Sequence, residues 1–286
     1  MIRTICVCGA GTMGGGIAQA AAQSGFNTIL YDLNTESLRK ARLSIDNNLE
    51  KAVQHHKLGE TARQTALANL FFTDQIADCV ADFIIEAILE KPEAKKALFN
   101  HLATLNGPET ILASNTSSLS VTAIAEGTDR PGRVIGMHFF NPAPVMKLVE
   151  VIHTRYTDER TARVTAWLAL AMTKTPVNCG DFPGFIVNHV ARPYYLEALR
   201  ILEKGGADID TVDALMEATG FKMGPFRLMD LIGNDVNYSV SVSVYTALGE
   251  PARLKPSPLQ RRKVEDNELG RKTGRGFYHY TINPSL

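Results

Sequence analysis

A histidine and a glutamate stand twelve residues apart in "HFFNPAPVMKLVEVI" (138–152), either side of a turn marked by two prolines. The flanking residues, Arg133 to Phe139 and Met146 to Ile152, read as buried strands. Paired antiparallel about Pro144, they bring His138 and Glu150, each six residues from that centre, directly opposite one another. Opposed residues share a face of the sheet with Cβ atoms about 5 Å apart, so imidazole and carboxylate can meet. A carboxylate on one ring nitrogen fixes the tautomer and raises the basicity of the other, as a general base requires. The same spacing fits a structural ion pair, or two strand ends facing water. The pair alone leaves these readings open.

A second group of chemically capable residues is "ASNTSS" (113–118), which follows a strand expected at Thr110 to Ser114. Ligands of open α/β sheets bind beyond the carboxyl ends of the strands. Asn115, Thr116 and Ser117 are therefore expected to project toward the same crevice as Glu86 and His138. As residue types they would serve equally well as a capped turn. Asn188, early in the first helix of a second domain, closes over the site from the other side or is a plain helix-face amide.

The third signal is a dinucleotide fingerprint, "CGAGTMGGGIA", with Gly9, Gly11, Thr12, Met13 and Gly14. It follows a strand, opens a small-residue helix and reaches a second strand ending in Asp32. Gly9 permits the tight turn, Gly11 the approach of a pyrophosphate, and Gly14 close packing of helix on strand. Helix N–H groups hold the anion. Asp32 accepts from the adenosine ribose hydroxyls and repels a 2′-phosphate, which selects NAD over NADP.

The elements around these residues alternate. Strands are expected at Thr4 to Cys8, Thr28 to Tyr31, Leu70 to Thr73, Asp82 to Ala87, Thr110 to Ser114 and Arg133 to Phe139, with "MKLVEVI" and "KTPVNC" adding two more. Amphipathic segments between them mark βαβ units and a parallel sheet. Residues 34–69 are too long for one crossover and predict a protruding helical hairpin. After Pro183 and Gly184 the pattern is helical: Phe185 to Glu203, Asp208 to Thr219 and Phe226 to Leu248. The fold class is thus an α/β Rossmann-type dinucleotide-binding domain (1–183) followed by an all-helical C-terminal domain (184–286). Three helices give the second domain a modest core, which predicts a homodimer formed through it.

Composition narrows the class. Thirty basic residues balance thirty acidic ones, so nothing favours nucleic acid or an anionic membrane surface. No apolar run approaches the ~20 residues that span a bilayer, and a strand begins almost at Met1, leaving no room for a leader. The four cysteines, Cys6, Cys8, Cys79 and Cys179, make no zinc-ligand spacing. They read as reduced core thiols of a soluble cytoplasmic protein, with no metal expected.

Six motifs carry a resemblance: "GAGTMGGGIA", "IIEAILE", "ILASNTSSLS", "GMHFFNPAPVMKLVEV", "PGFIVN" and "GRKTGRGFY". In this order, and over the whole chain, the sequence resembles the L-3-hydroxyacyl-CoA dehydrogenases. The resemblance implies a Rossmann-type domain joined to a dimerising helical domain, and oxidation of the 3-hydroxyl of an acyl-CoA with NAD. It implies that His138 takes the hydroxyl proton, Glu150 orients it, and Ser117 and Asn188 hydrogen-bond the reacting oxygen or the thioester carbonyl. It places Asp32, Glu90, Lys95, Asn141 and Lys272 around the dinucleotide, although by type Glu90 and Lys95 read as a solvated helix start. Two departures stand out. Where relatives carry a serine and a lysine that touch CoA, this sequence has Asn48 and His55, with Lys57 nearby. Arg192 replaces an apolar residue one helical turn from Asn188, either to reach a second carboxylate on the acyl chain or to form an interface salt bridge. The segment around Arg192 resembles the branch acting on 3-hydroxyadipyl-CoA, against a short-chain substrate such as 3-hydroxybutyryl-CoA.

Three other readings compete. Ser117, His138 and Glu150 form a hydrolase triad on paper, but no G-x-S-x-G elbow exposes a nucleophile. Dehydrogenases of free β-hydroxy acids use a lysine base, whereas "HFFNPAP" supplies histidine. An NAD-binding non-enzymatic or crystallin-like protein would be marked by loss of His138 or Glu150, and both are present.

Overall fold

The strands expected from apolar runs all form, two of them at their expected bounds and the others within two residues. The computed structural model describes residues 2–281 and divides between Asp181 and Phe182 into two units. The first holds β1 (Thr4–Cys8), α1 (Thr12–Gln23), β2 (Asn27–Tyr31), α2 (Thr35–Gln54), α3 (Glu60–Ala68), β3 (Leu70–Thr73), β4 (Phe83–Glu86), α4 (Pro92–Leu105), β5 (Ile111–Ser114), α5 (Val121–Ala125), β6 (Val134–Phe139), β7 (Leu148–His153), α6 (Glu159–Ala171) and β8 (Thr175–Gly180). They make one eight-stranded sheet in the order β3-β2-β1-β4-β5-β6-β7-β8. Neighbours from β3 through β6 are parallel, β6 and β7 are antiparallel, and β7 and β8 are parallel. Strand β1 lies inside the sheet, with Ile5 and Val7 in the main apolar cluster and Cys6 and Cys8 on the opposite face.

The turn from β1 to α1 is built for close approach. Gly9 has φ +107°, and a Cβ on Gly14 would stand 1.7 Å from the Gly9 carbonyl oxygen. Helix α2 starts at Asn34, whose side chain accepts from the N–H groups of Glu36 and Ser37, an N-cap that satisfies two orphan donors. Helices α2 and α3 form a hairpin between β2 and β3 whose stem packs on the first unit's core. Leu38, Ala41, Ile45 and Leu49 form a helical stripe that is buried in the first unit's core, as is Ala66. The exposed part is the tip, where His55, His56 and Lys57 lie.

The second unit comprises α7 (Val187–Glu203), α8 (Ile209–Ala218), α9 (Pro225–Ile232), α10 (Asn234–Ala247) and α11 (Pro258–Glu265). Its core contains Leu196, Leu199, Phe226, Met229 and Val244. One helix was expected over Phe226 to Leu248, and two are found. The break is at Gly233, whose φ of +103° takes the chain out of helical geometry at low steric cost; Asn234 then donates its N–H to the Leu269 carbonyl. The polar segment after Ser257 is also helical, because the Ser257 hydroxyl caps it by accepting from the N–H groups of Leu259 and Gln260. No helix among the described residues is long and apolar enough to cross a membrane.

Candidate active site

His138 and Glu150 are register partners in the β6–β7 pair, and His138 Nδ1 lies 2.7 Å from Glu150 Oε2. Both are buried: His138 is 6% exposed and Glu150 0%. Two strand ends facing water are thereby ruled out. The contact is short enough to be charge-assisted, and the Phe140 ring packs 4.6 Å from the imidazole, centroid to centroid. Asn115 joins the neighbouring strands at this level. Its N–H donates to the Glu86 carbonyl at 2.8 Å, and its Oδ1 accepts from the Phe139 N–H at 2.8 Å.

The turn after β6 carries Asn141, which is exposed. Lys174, which sequence reasoning missed, holds this turn from beneath. It is 4% exposed, and its Nζ donates to the carbonyls of Ala143 (2.6 Å) and Met146 (3.0 Å). Burial, aided by nearby Lys147, pushes its pKa below the usual lysine range. A lysine at the start of an expected strand reads as solvated by type, and its acceptors lie about thirty residues away along the chain.

The dinucleotide turn presents an anion site with no competing cap. Gly11 is the N-cap of α1 and supplies no side-chain acceptor, so the first N–H groups of the helix keep their capacity for an external anion. The space where a Gly11 side chain would stand is open. Thr12 and Met13 begin the helix. Asp32 ties the far side: its Oδ2 accepts from the Ala10 N–H at 2.7 Å and its Oδ1 from the Asn34 N–H at 2.9 Å. A carboxylate has about four acceptor positions, so this geometry can still accept ribose hydroxyls. The residues present fit a dinucleotide.

Between these two regions lies an ionic network that the sequence disguised. Glu86, 0% exposed, accepts from Lys95 Nζ at 2.6 Å, from the Ile88 N–H at 2.7 Å and from Ser114 Oγ at 2.7 Å. Lys95 is 1% exposed and also pairs with Glu90 at 3.0 Å. Glu90 in turn accepts from Thr116 Oγ1 at 2.5 Å and from the Ser117 N–H at 3.1 Å. Burial raises the Glu86 pKa despite its Lys95 neighbour. For Glu90 burial acts the same way, but Lys95, Thr116 and Ser117 together outweigh it and hold the carboxyl below its usual range. The solvated helix start is thus corrected for Lys95, whereas Glu90 stays partly open to solvent. Pro92 begins α4, and Lys95 on its first turn points inward, where through Glu90 it supports the loop of Ser117.

In the helical unit, Asn188 is the second residue of α7. Arg192 is 3% exposed. Its Nε donates to the Asn188 carbonyl at 2.9 Å, and one terminal nitrogen donates to the Asn237 carbonyl (3.0 Å) and to Ser241 Oγ (2.9 Å). Burial lowers its pKa to about 10. Within the helical unit the guanidinium thus staples α7 to α10. Lys272 pairs with both Asp235 oxygens, at 2.6 and 2.7 Å. On the hairpin of the first unit, Asn48 Nδ2 donates to Gln19 Oε1 at 3.3 Å, and His55 is the exposed C-cap of α2.

Residues 4–182 match the family described as 3-hydroxyacyl-CoA dehydrogenase, NAD binding domain, and residues 184–280 match its C-terminal domain. The chain belongs to the 3-hydroxyacyl-CoA dehydrogenase family. This is a family of NAD-dependent oxidoreductases, and the first unit is its NAD-binding domain. The chain is 46% identical over 281 residues to the 3-hydroxyadipyl-CoA dehydrogenase of Escherichia coli (strain K12), covering 98% of this chain and 59% of that one. It therefore spans only about three fifths of the length of that relative. It is 42% identical over 278 residues to a probable 3-hydroxybutyryl-CoA dehydrogenase of Deinococcus radiodurans, covering 96% of this chain and 99% of that one. Among solved structures, (S)-3-hydroxybutyryl-CoA dehydrogenase from Ralstonia eutropha superposes with a TM-score of 0.93 at 37% identity, covering 99% of this chain and 100% of that one.

For a family member, the Arg192 geometry gives a definite expectation. Arg192→Leu removes three hydrogen bonds from a charged donor, of which each is worth about 1.5–3 kcal/mol, offset in part because the Ser241 hydroxyl still donates to the Asn237 carbonyl at 2.9 Å. Urea unfolding should report that loss, and activity should fall alike on dicarboxylic and monocarboxylic 3-hydroxyacyl-CoA esters. A loss confined to the dicarboxylic ester would restore a substrate-reading role.

Proposed function

We propose that this chain catalyses the reversible oxidation of the 3-hydroxyl of an (S)-3-hydroxyacyl-CoA to the 3-ketoacyl-CoA with NAD, on short acyl groups such as 3-hydroxybutyryl. The observation that carries the reading is the buried contact of His138 Nδ1 with Glu150 Oε2 at 2.7 Å, beyond the carboxyl ends of β4 and β5. With Nδ1 engaged by the carboxylate, proton transfer falls to Nε2, which takes the hydroxyl proton in oxidation and returns it in reduction. NAD, when bound, accepts the hydride from C3. Glu150 keeps the imidazole in one tautomer and stabilises its protonated form. Ser117 and Asn188 hydrogen-bond the reacting oxygen or the thioester carbonyl. The first turn of α1 takes the pyrophosphate, Asp32 the adenosine ribose, and Asn141, Glu90 and Lys272 line the rest of the dinucleotide. Asn48 and His55, on the hairpin, face CoA.

A dicarboxylic substrate is the second reading, favoured by the named activity of the Escherichia coli relative. The test is kcat/KM for a panel of 3-hydroxyacyl-CoA esters, one of them 3-hydroxyadipyl, with NAD and with NADP. Highest values on the four-carbon ester with NAD are expected. A maximum on the six-carbon dicarboxylic ester moves the assignment to that substrate, and no turnover on any ester ends the proposal.

Glu150→Gln separates an orienting role from a structural one. With the charge gone the imidazole is less firmly held in its working tautomer, so turnover should fall and the pH–rate profile should change. An unchanged pH–rate profile would make the pair structural.

We further place the enzyme in the cytoplasm as a homodimer. Its cysteines are unpaired, as in a reducing compartment. Val190, Leu215, Leu231 and Val236 of the helical unit are large apolar side chains left exposed, which suits an interface between two copies.

A further inference from the structure

Three of the four cysteines converge. Cys6 and Cys8 project from one face of β1, and Cys79 reaches them from the turn before β4. All three are 0% exposed, and their sulfurs lie within 4.8 Å of one another. The Sγ atoms of Cys6 and Cys8 are 3.8 Å apart. The spacing that excluded a zinc motif in the sequence concealed this group, because a strand places residues i and i+2 on one face and the third thiol comes from a distant segment.

We infer that Cys6, Cys8 and Cys79 form a three-sulfur binding site for a soft monovalent metal ion of the Cu(I) class. At metal–sulfur bonds of ~2.3 Å, the 3.8 Å separation of Cys6 and Cys8 gives a sulfur–metal–sulfur angle of about 110°. This lies between tetrahedral and trigonal values. Closing the other separations asks for a small rotation of Cys79, whose backbone is pinned by its N–H to the Ile76 carbonyl and its carbonyl to Asn106 Nδ2. The next residue, Val80, is 57% exposed, so an ion has a short way in through this turn.

Charge and donor number select the ion. Zinc is almost always four-coordinate in structural sites, and among the described residues no histidine, aspartate or glutamate joins the three sulfurs. Three thiolates on a divalent ion would also leave net charge in a dry core, which is costly. A monovalent ion reaches neutrality with a single thiolate, and soft sulfur ligands select Cu(I). A disulfide is a poorer outcome for the strand pair: two residues of strand set Cα atoms about 6.7 Å apart, at the upper edge of what a disulfide spans.

The test uses the full chain, reduced and metal-free under inert gas, titrated with Cu(I) held as its bathocuproine disulfonate complex. The expected result is withdrawal of one Cu(I) per chain, with an ultraviolet sulfur-to-copper band and X-ray absorption showing three sulfur neighbours. Cys79→Ala should lower the affinity by roughly a hundredfold or more, since even outer-shell partners are worth about 10–100-fold, and Cys179→Ala should leave it unchanged. No withdrawal by the wild type, equal withdrawal by Cys79→Ala, or loss in Cys179→Ala overturns the site. If Cys79→Ala does not fold, the wild-type spectrum decides: two sulfurs, or mixed sulfur and nitrogen, overturns it as well.

Discussion

His138→Ala is expected to lower turnover by roughly a hundred- to ten-thousandfold, the usual worth of a positioned proton-transfer group, which is about 3–5 kcal/mol of barrier. NADH affinity should stay unchanged, because the dinucleotide turn and Asp32 sit on β1, α1 and β2, away from the β6–β7 pair. Truncation also removes a hydrogen-bond partner of Glu150, a fully buried carboxylate, so part of any loss can come from destabilisation. His138→Gln controls for this, since its amide can still donate to the carboxylate. Comparable loss of turnover in both variants, with NADH titration and thermal unfolding near wild type in the glutamine variant, is the expected pattern. Near-normal turnover in either variant would remove His138 as the base.

Lys95→Met should have the largest effect on stability. It withdraws the cation that pairs with the fully buried Glu86, and breaking a buried pair from one side costs about 3–5 kcal/mol. Urea unfolding monitored by circular dichroism measures it. The double variant Glu86→Gln/Lys95→Met should recover much of that loss, because it removes the stranded charge along with its partner. Lys95→Met should also raise the KM for substrate, since Glu90 carries the Thr116 hydroxyl and the Ser117 N–H. A loss below about 1 kcal/mol, the worth of an exposed pair, would show that the network is solvated.

Local pattern was enough for a great deal of this protein. Periodicity of two and of 3.6 is imposed by burial on one face, so apolar runs such as "TICVC" and "LVEVI" declared their strands. The glycine turn declared its helix, because close backbone approach leaves no room for another residue at Gly14. The His138–Glu150 register was also local, being set by a short connection and the pleat.

What the sequence could not determine depended on partners distant along the chain. Lys95, Lys174 and Arg192 are residue types that face water by default, and each is buried only because folding brings acceptors to it: Glu86 and Glu90, the carbonyls of the 143–146 turn, and the Asn237 and Ser241 groups of α10. The helix break at Gly233 and the meeting of Cys79 with Cys6 and Cys8 are of the same kind. A buried charge or thiol cluster is tolerated only where its partners are already in place, and that placement belongs to the tertiary structure.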